Sequence, residues 1–150
     1  MPKQHNREDT EDRTTLYRDI RWKQAWNSRC VQDLDQIEYS VVDGQIVYVA
    51  IIELTRRDNH PTIKNPPPRY FDAILERYDS DMQGRLAVET AKKLGVDAYI
   101  VVFDEDVERL WVYNFSKRKG FTREFSKKEY FEWLYAKHEG ARAAFAKKNC

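Results

Sequence analysis

The chain is poor in the residues that carry several common chemistries. It has two cysteines, Cys30 and Cys150, far apart in a 150-residue sequence. That fits a reducing compartment better than a disulfide framework, so a cytoplasmic location is expected. Its three histidines, His5, His60 and His138, share no metal-ligand spacing with the cysteines. A zinc site is not expected. With five glycines and no Gly-rich phosphate cradle, an NTPase or dinucleotide-binding enzyme is not expected either. No run of 18 apolar residues exists, so no membrane span is expected. The opening "MPKQHNREDTEDR" has no apolar core of the kind a signal peptide needs.

Charge and aromatic side chains are plentiful. Charged residues make up 34% and aromatics 13%, which suits one folded, water-exposed domain with a real core. The net charge of +1 hides an asymmetry. Residues 78–110 hold four Lys or Arg against eight acids, a net of −4; residues 111–150 hold ten against four, a net of +6. A basic end of this kind suits phosphate contacts or a solvated helix face.

Residues 1–12 are polar and expected to be disordered. "TTLYRDIRWKQAWN" has helical spacing, with Thr14 or Thr15 as cap. Ile37–Val42 and Gln45–Leu54 are expected strands flanking Asp43-Gly44, a hairpin signal. The second strand is apolar on both faces, which suggests a central place in a sheet. "RRDNHPTIKNPPP" is expected to be a long loop. "RYFDAILERY" lines up Phe71, Ile74, Leu75 and Tyr78 on one helix face. "MQGRLAVETAKKLG" is a second helix, with Leu86 and Leu94 expected inward and Gly95 as its C-terminal cap. "VDAYIVVF" and "RLWVYNF" are strands, "KRKG" is a basic loop, and Ser126 to Glu129 opens a last helix with a capping box. The four tryptophans, Trp22, Trp26, Trp111 and Trp133, are expected in the core or an interface. The order of elements predicts an α/β (α+β) fold, a central mixed sheet flanked by helices.

Acids at the ends of the hairpin strands stand out. In "DLDQIEY" and "VAIIELT", Asp33, Asp35 and Glu53 bracket apolar strands. A two-residue turn sets Asp35 against Ile52 and turns Glu53 to the other face. A three-residue loop sets Asp33 opposite Glu53, with Asp35 on the same face. The apolar pattern leaves both registers open. Only the second, or an irregularity near Asp35, clusters the acids. Such a cluster persists if it binds a cation, shares a proton or stays wet.

These two segments, with the helix "DMQGRLAVETAKKLG" running into "VDAYIVVF", resemble the core of the PD-(D/E)XK nuclease superfamily, including its Holliday junction resolvase-like members. The resemblance covers residues 30–115 and implies a restriction endonuclease-like core over residues 13–115, with a basic loop and helical region over 116–150. It implies metal-dependent hydrolysis of DNA phosphodiesters with Mg²⁺ or Mn²⁺ as cofactor. Asp35 and Glu53 match the metal-holding acids, Asp33 lies near them, and Gln83 matches a helix glutamine. Asp19 is a candidate for an acid on the family's first helix. The position of the family's lysine is Thr55. Arg57 or Lys64 would have to take its place, since Arg56 points to the opposite face. Lys117, Arg118 and Lys119, with Lys64 and Arg56, are candidates for DNA contact. Branched or duplex DNA and a homodimer are the expected partners. The alternative from the same residues is a non-catalytic nucleic-acid- or protein-binding module, because Thr55 carries no charge. A third is an interaction domain whose acids merely solubilise strand ends.

Overall fold

A computed structural model of the chain describes residues 34–56, 69–104 and 108–149. The expected disordered residues 1–12, the expected helix at residues 14–27 and the expected loop from residue 57 to 68 lie outside the described residues; Arg56, expected to open that loop, is instead in a strand. The described part is a mixed α/β fold. β1 (Gln36–Val42) and β2 (Gln45–Arg56) are followed by α1 (Arg69–Ser80) and α2 (Met82–Leu94). β3 (Asp97–Phe103), β4 (Arg109–Asn114) and β5 (Lys119–Ser126) lead to α3 (Lys127–Lys148). The strands form one sheet in the order β1-β2-β3-β4-β5. β2 and β3 are parallel, joined across α1 and α2; every other neighbouring pair is antiparallel.

Each face of the sheet has its own apolar layer. On one, Phe71, Ile74 and Tyr78 of α1 pack against Ile100, Val102, Trp111 and Tyr113. Ala87 and Ala91 of α2 pack against Ile51 and Ala98 on the same side. On the other, Val49, Ala50, Ile52, Tyr99 and Val101 meet Tyr130, Trp133 and Leu134 of α3. This two-sided burial explains why β2 and β3 read as unbroken apolar runs. Trp111 is buried in the first layer and Trp133 packs on the second, as expected of core tryptophans.

The helix boundaries follow local chemistry. Asp81 accepts from the Gln83 N–H and caps α2, and Gly95 closes it with φ 72°. The capping box of Ser126 and Glu129 opens α3, both hydrogen bonds being present. The buried side of α2 differs from expectation. Its fully buried residues are Gly84, Ala87 and Ala91; Leu94 packs, partly buried, against the same cluster as expected, while Leu86 is partly buried and joins no core cluster. Small residues let this helix lie close to its neighbours. A Cβ at Gly84 would sit 2.2 Å from the Tyr78 carbonyl oxygen, so only glycine admits this approach of the α1 and α2 backbones.

β5 is a strand that the sequence pattern conceals. The basic loop is narrower than "KRKG" suggests, because Lys119 and Gly120 already pair with β4. The register then shifts between Trp111 and Tyr113, and Phe121 adopts φ 56°. The irregularity turns the Phe121 ring onto Phe71, at a centroid distance of 4.0 Å, and onto Tyr113, at 4.8 Å. Bulged residues break the two-residue alternation that marks a strand. Residues 119–149 thus supply an edge strand and one helical layer of the same sheet.

Candidate functional site

Two carboxylates meet at the open end of the β1–β2 hairpin, and a bulge decides that they do. Asp43 and Gly44 both take positive φ, 51° and 74°, forming the two-residue turn. Val42 therefore pairs with Gln45, and the register holds to Tyr39 opposite Tyr48. Between Tyr39 and Glu38 it shifts, and Glu38 pairs with Ala50. Val49 is the extra residue of β2 at this bulge. Past it the pairing is offset by one, up to Gln36 opposite Ile52. One step further the same register sets Asp35 across from Glu53. Asp35 Oδ2 accepts from the Leu54 N–H at 2.8 Å, which anchors the acid to β2. Of the two expected registers, the turn is that of the first, and an irregularity supplies the clustering of the second.

Glu53 is 1% exposed, a rare state for a carboxylate. It points to the face covered by α1 and α2. Gln83, in the first turn of α2, donates from Nε2 to Glu53 Oε2 at 2.6 Å. The capping of α2 by Asp81 fixes where that amide starts. Glu53 Oε1 is buried and has no hydrogen-bond partner among the described residues. Burial pushes the Glu53 carboxyl up to about 7; the Gln83 hydrogen bond opposes this and the Asp35 charge adds to it, while the Asp35 backbone amide works the other way. Tyr78 belongs to the same neighbourhood. Its phenol is pushed up to about 12, by burial first and then by the charges of Glu53 and Asp35. Its place on the apolar stripe of α1 gave no sign that it would sit near the acids.

Thr55, two residues after Glu53, is on the same face and buried. It brings a hydroxyl and no positive charge to that side. Arg56 pairs with Phe103, whose ring joins the layer under α3, so Arg56 lies on the face away from Glu53. Asp33, Arg57, Lys64 and Asp19 lie outside the described residues. Among the described residues, no third His, Cys, Asp or Glu joins Asp35 and Glu53 in a metal-ligating group.

The basic turn between β4 and β5 is engaged within the fold. Lys117 Nζ lies 3.2 Å from Asp97, and Arg118 pairs with Asp79 at the end of α1 at 2.6 Å. The Arg118 guanidinium also covers the Phe115 ring at 4.2 Å. Lys119 is exposed. The sequence showed the basic residues and not the acids that meet them, because Asp79 and Asp97 come from distant segments.

The two carboxylates make a hard-oxygen donor pair. Asp35 and Glu53, the latter through its uncommitted Oε1, fit a divalent cation such as Mg²⁺, which uses one or two carboxylates and fills its other positions with water and phosphate oxygens. Compared with known proteins, the chain matches no family model, no curated protein and no solved structure.

Proposed function

We propose that this protein is a divalent-metal-dependent nuclease acting on DNA phosphodiesters, with Asp35 and Glu53 as its metal-holding acids. The observation that carries the reading is a buried Glu53 beside Asp35, one oxygen held by Gln83 and the other without a donor. A buried ionised carboxylate is costly unless a cation or a proton offsets it. The resemblance of "DLDQIEY", "VAIIELT" and the Gln83 helix to the PD-(D/E)XK nucleases supports the same assignment. Gln83 holds the Glu53 carboxylate in one rotamer, and Asp35 is held by the Leu54 amide. A bound Mg²⁺ or Mn²⁺ would polarise a phosphate oxygen and activate a water. Arg57 or Lys64 takes the charge-stabilising role that Thr55 lacks; an arginine there stabilises charge and does not act as a base. Lys117 and Arg118 contact phosphates by exchanging their Asp97 and Asp79 partners. Branched DNA is the preferred substrate in this reading, and a homodimer its working form.

One observation favours a second reading. Thr55 places no cation on the face of Glu53. A non-catalytic DNA- or protein-binding module on the same fold would need none.

The test is incubation of labelled linear, single-stranded and four-way-junction DNA with Mg²⁺, Mn²⁺ or EDTA, alongside Glu53→Gln. Metal-dependent cutting that disappears in the variant is expected. DNA binding without cutting on every substrate would transfer the assignment to the binding module.

A further inference from the structure

The outer part of the β1–β2 hairpin carries apolar side chains that no helix covers among the described residues. Glu38 and Ser40 of β1 point toward α3, where both bond to His138. The residues that alternate with them therefore point to the opposite face. Ile37, Tyr39 and Val41 stand there in a row, and their partners across β2 are Ile51, Tyr48 and Ile46. α2 covers Ile51. The other five, Ile37, Tyr39, Val41, Ile46 and Tyr48, are between 40% and 59% exposed. Together they show on the order of 500 Å² to water, a size at which an apolar patch is often functional.

Charge and position limit what can cover this patch. None of the five residues is charged, and residues 36–55 contain no Lys or Arg. A nucleic acid needs cations along its backbone, and these strands offer it none. A neutral apolar face can meet its own copy without like-charge repulsion. β1 is the edge strand of the sheet, and the Asp43-Gly44 turn ends the hairpin. The patch thus sits at a corner of the sheet, open on two sides to a second copy. Two such faces pressed together remove about 1,000 Å² from water, the lower bound for a specific interface. Phe131 and Tyr135 of α3 are exposed as well, but Lys128, Glu132 and Glu139 stand beside them along the helix.

We infer that this face is an interface between two copies of the chain, related by a two-fold axis, with the Tyr39–Tyr48 pair of each hairpin at its centre. A two-fold arrangement needs only one self-complementary patch. Tyr39 and Tyr48 lie between Ile37 and the Val41–Ile46 pair, and aromatic side chains at the centre of a contact carry most of its energy. The buried area is near the lower bound, so the pairing is reversible, with a Kd on the order of 10 μM. The interface does not rest on the nuclease reading, since none of its residues belongs to the Asp35–Glu53 site.

Sedimentation velocity of the full-length protein over a range of concentrations measures the association. A monomer–dimer equilibrium is expected, reaching twice the monomer mass at the highest concentrations. Tyr39→Lys should weaken it at least about tenfold, because each copy then buries an unpaired cation against the other. Tyr39→Glu should do the same with an unpaired anion. Mixing the two variants should restore pairing, which misfolded chains would not do. Tyr135→Ser, at a 67% exposed position on α3, should pair as the parent does. A monomer at every concentration would overturn the inference and leave the face to a different partner. Pairing that survives Tyr39→Lys, or opposite-charge variants that stay apart when mixed, would overturn it too.

Discussion

Gln83 Nε2 donates to Glu53 Oε2 at 2.6 Å, joining the first turn of α2 to the buried carboxylate of β2. This bond spans 30 residues of sequence and holds the candidate site together. It supplies one donor to a carboxylate that burial otherwise strips of water.

Loss of that donor is the first expected effect. Gln83→Ala leaves Glu53 Oε2 without its donor in a buried place. A penalty of about 1–3 kcal/mol is expected above pH 8, where Glu53 is ionised. Near pH 5, where Glu53 is protonated, the penalty should shrink. Urea denaturation at the two pH values measures both. An equal loss at the two would mean that the bond does not serve the charged form.

The second prediction concerns pH. The Glu53 carboxyl is raised from 4.5 to about 7 in the folded chain. The folded state therefore holds a proton that the unfolded state has released between these values. The group's contribution is fully present below about pH 4.5 and is lost as pH rises through about 7, on the order of 3 kcal/mol. Glu53→Gln removes this dependence, so the difference in melting temperature between variant and parent should grow in the variant's favour from pH 5 to 8. Adding Mg²⁺ should raise the parent's melting temperature at pH 8 and leave the variant's unchanged. A parent curve as flat as that of Glu53→Gln would show that Glu53 is not the titrating group.

Gly84 gives the third. A methyl group there would meet the Tyr78 carbonyl oxygen at 2.2 Å, and backbone must move to admit it. Gly84→Ala should cost about 1–3 kcal/mol despite alanine's better helix propensity. It should also displace Gln83, one residue away, and weaken the metal binding proposed for Glu53. Calorimetric unfolding and Mn²⁺ titration follow the two effects, and a stabilised variant would contradict the close approach.

The fourth concerns how α3 is fastened to β1. His138 Nδ1 lies 2.8 Å from Ser40 Oγ, and Nε2 lies 2.9 Å from Glu38 Oε2. Arg142 adds a hydrogen bond to the Val41 carbonyl at 3.1 Å. His138→Ala leaves the buried Ser40 hydroxyl and the Glu38 carboxylate without this partner. A loss of about 2 kcal/mol is expected, with faster amide exchange in the second half of α3. Protection equal to the parent's along residues 136–148 would mean that the contact does not hold the helix.

Most element boundaries were legible in the sequence because their causes are local. Asp43-Gly44 makes its own turn, Asp81 and Ser126 cap the residues that follow them, and Gly95 supplies the left-handed conformation that ends α2. The apolar runs of β2 and β3 announced a sheet covered on both faces. β5 was not legible, because Gly120 and the bulged Phe121 break its alternation and its pairing partner is what makes it a strand. The inward side of α2 was legible at Leu94 and not at its centre, for a related reason. Large apolar residues are the usual sign of a buried face, whereas here the close packing of two helices demands Gly84, Ala87 and Ala91.

The sequence by itself determined which acids were available and that their strands turn at Asp43-Gly44. It left open whether Asp35 and Glu53 meet, since both registers satisfied an apolar pattern with no preferred face. Tertiary structure decided that. Burial of Val49 together with Ala50 under α3 puts two successive residues of β2 on one side, and the resulting one-residue offset carries Glu53 opposite Asp35. The partners of Lys117 and Arg118 were likewise settled only by the packing of segments far apart in the chain. Turns and caps depend on a few neighbouring residues, but the face a strand residue occupies depends on everything packed against the sheet.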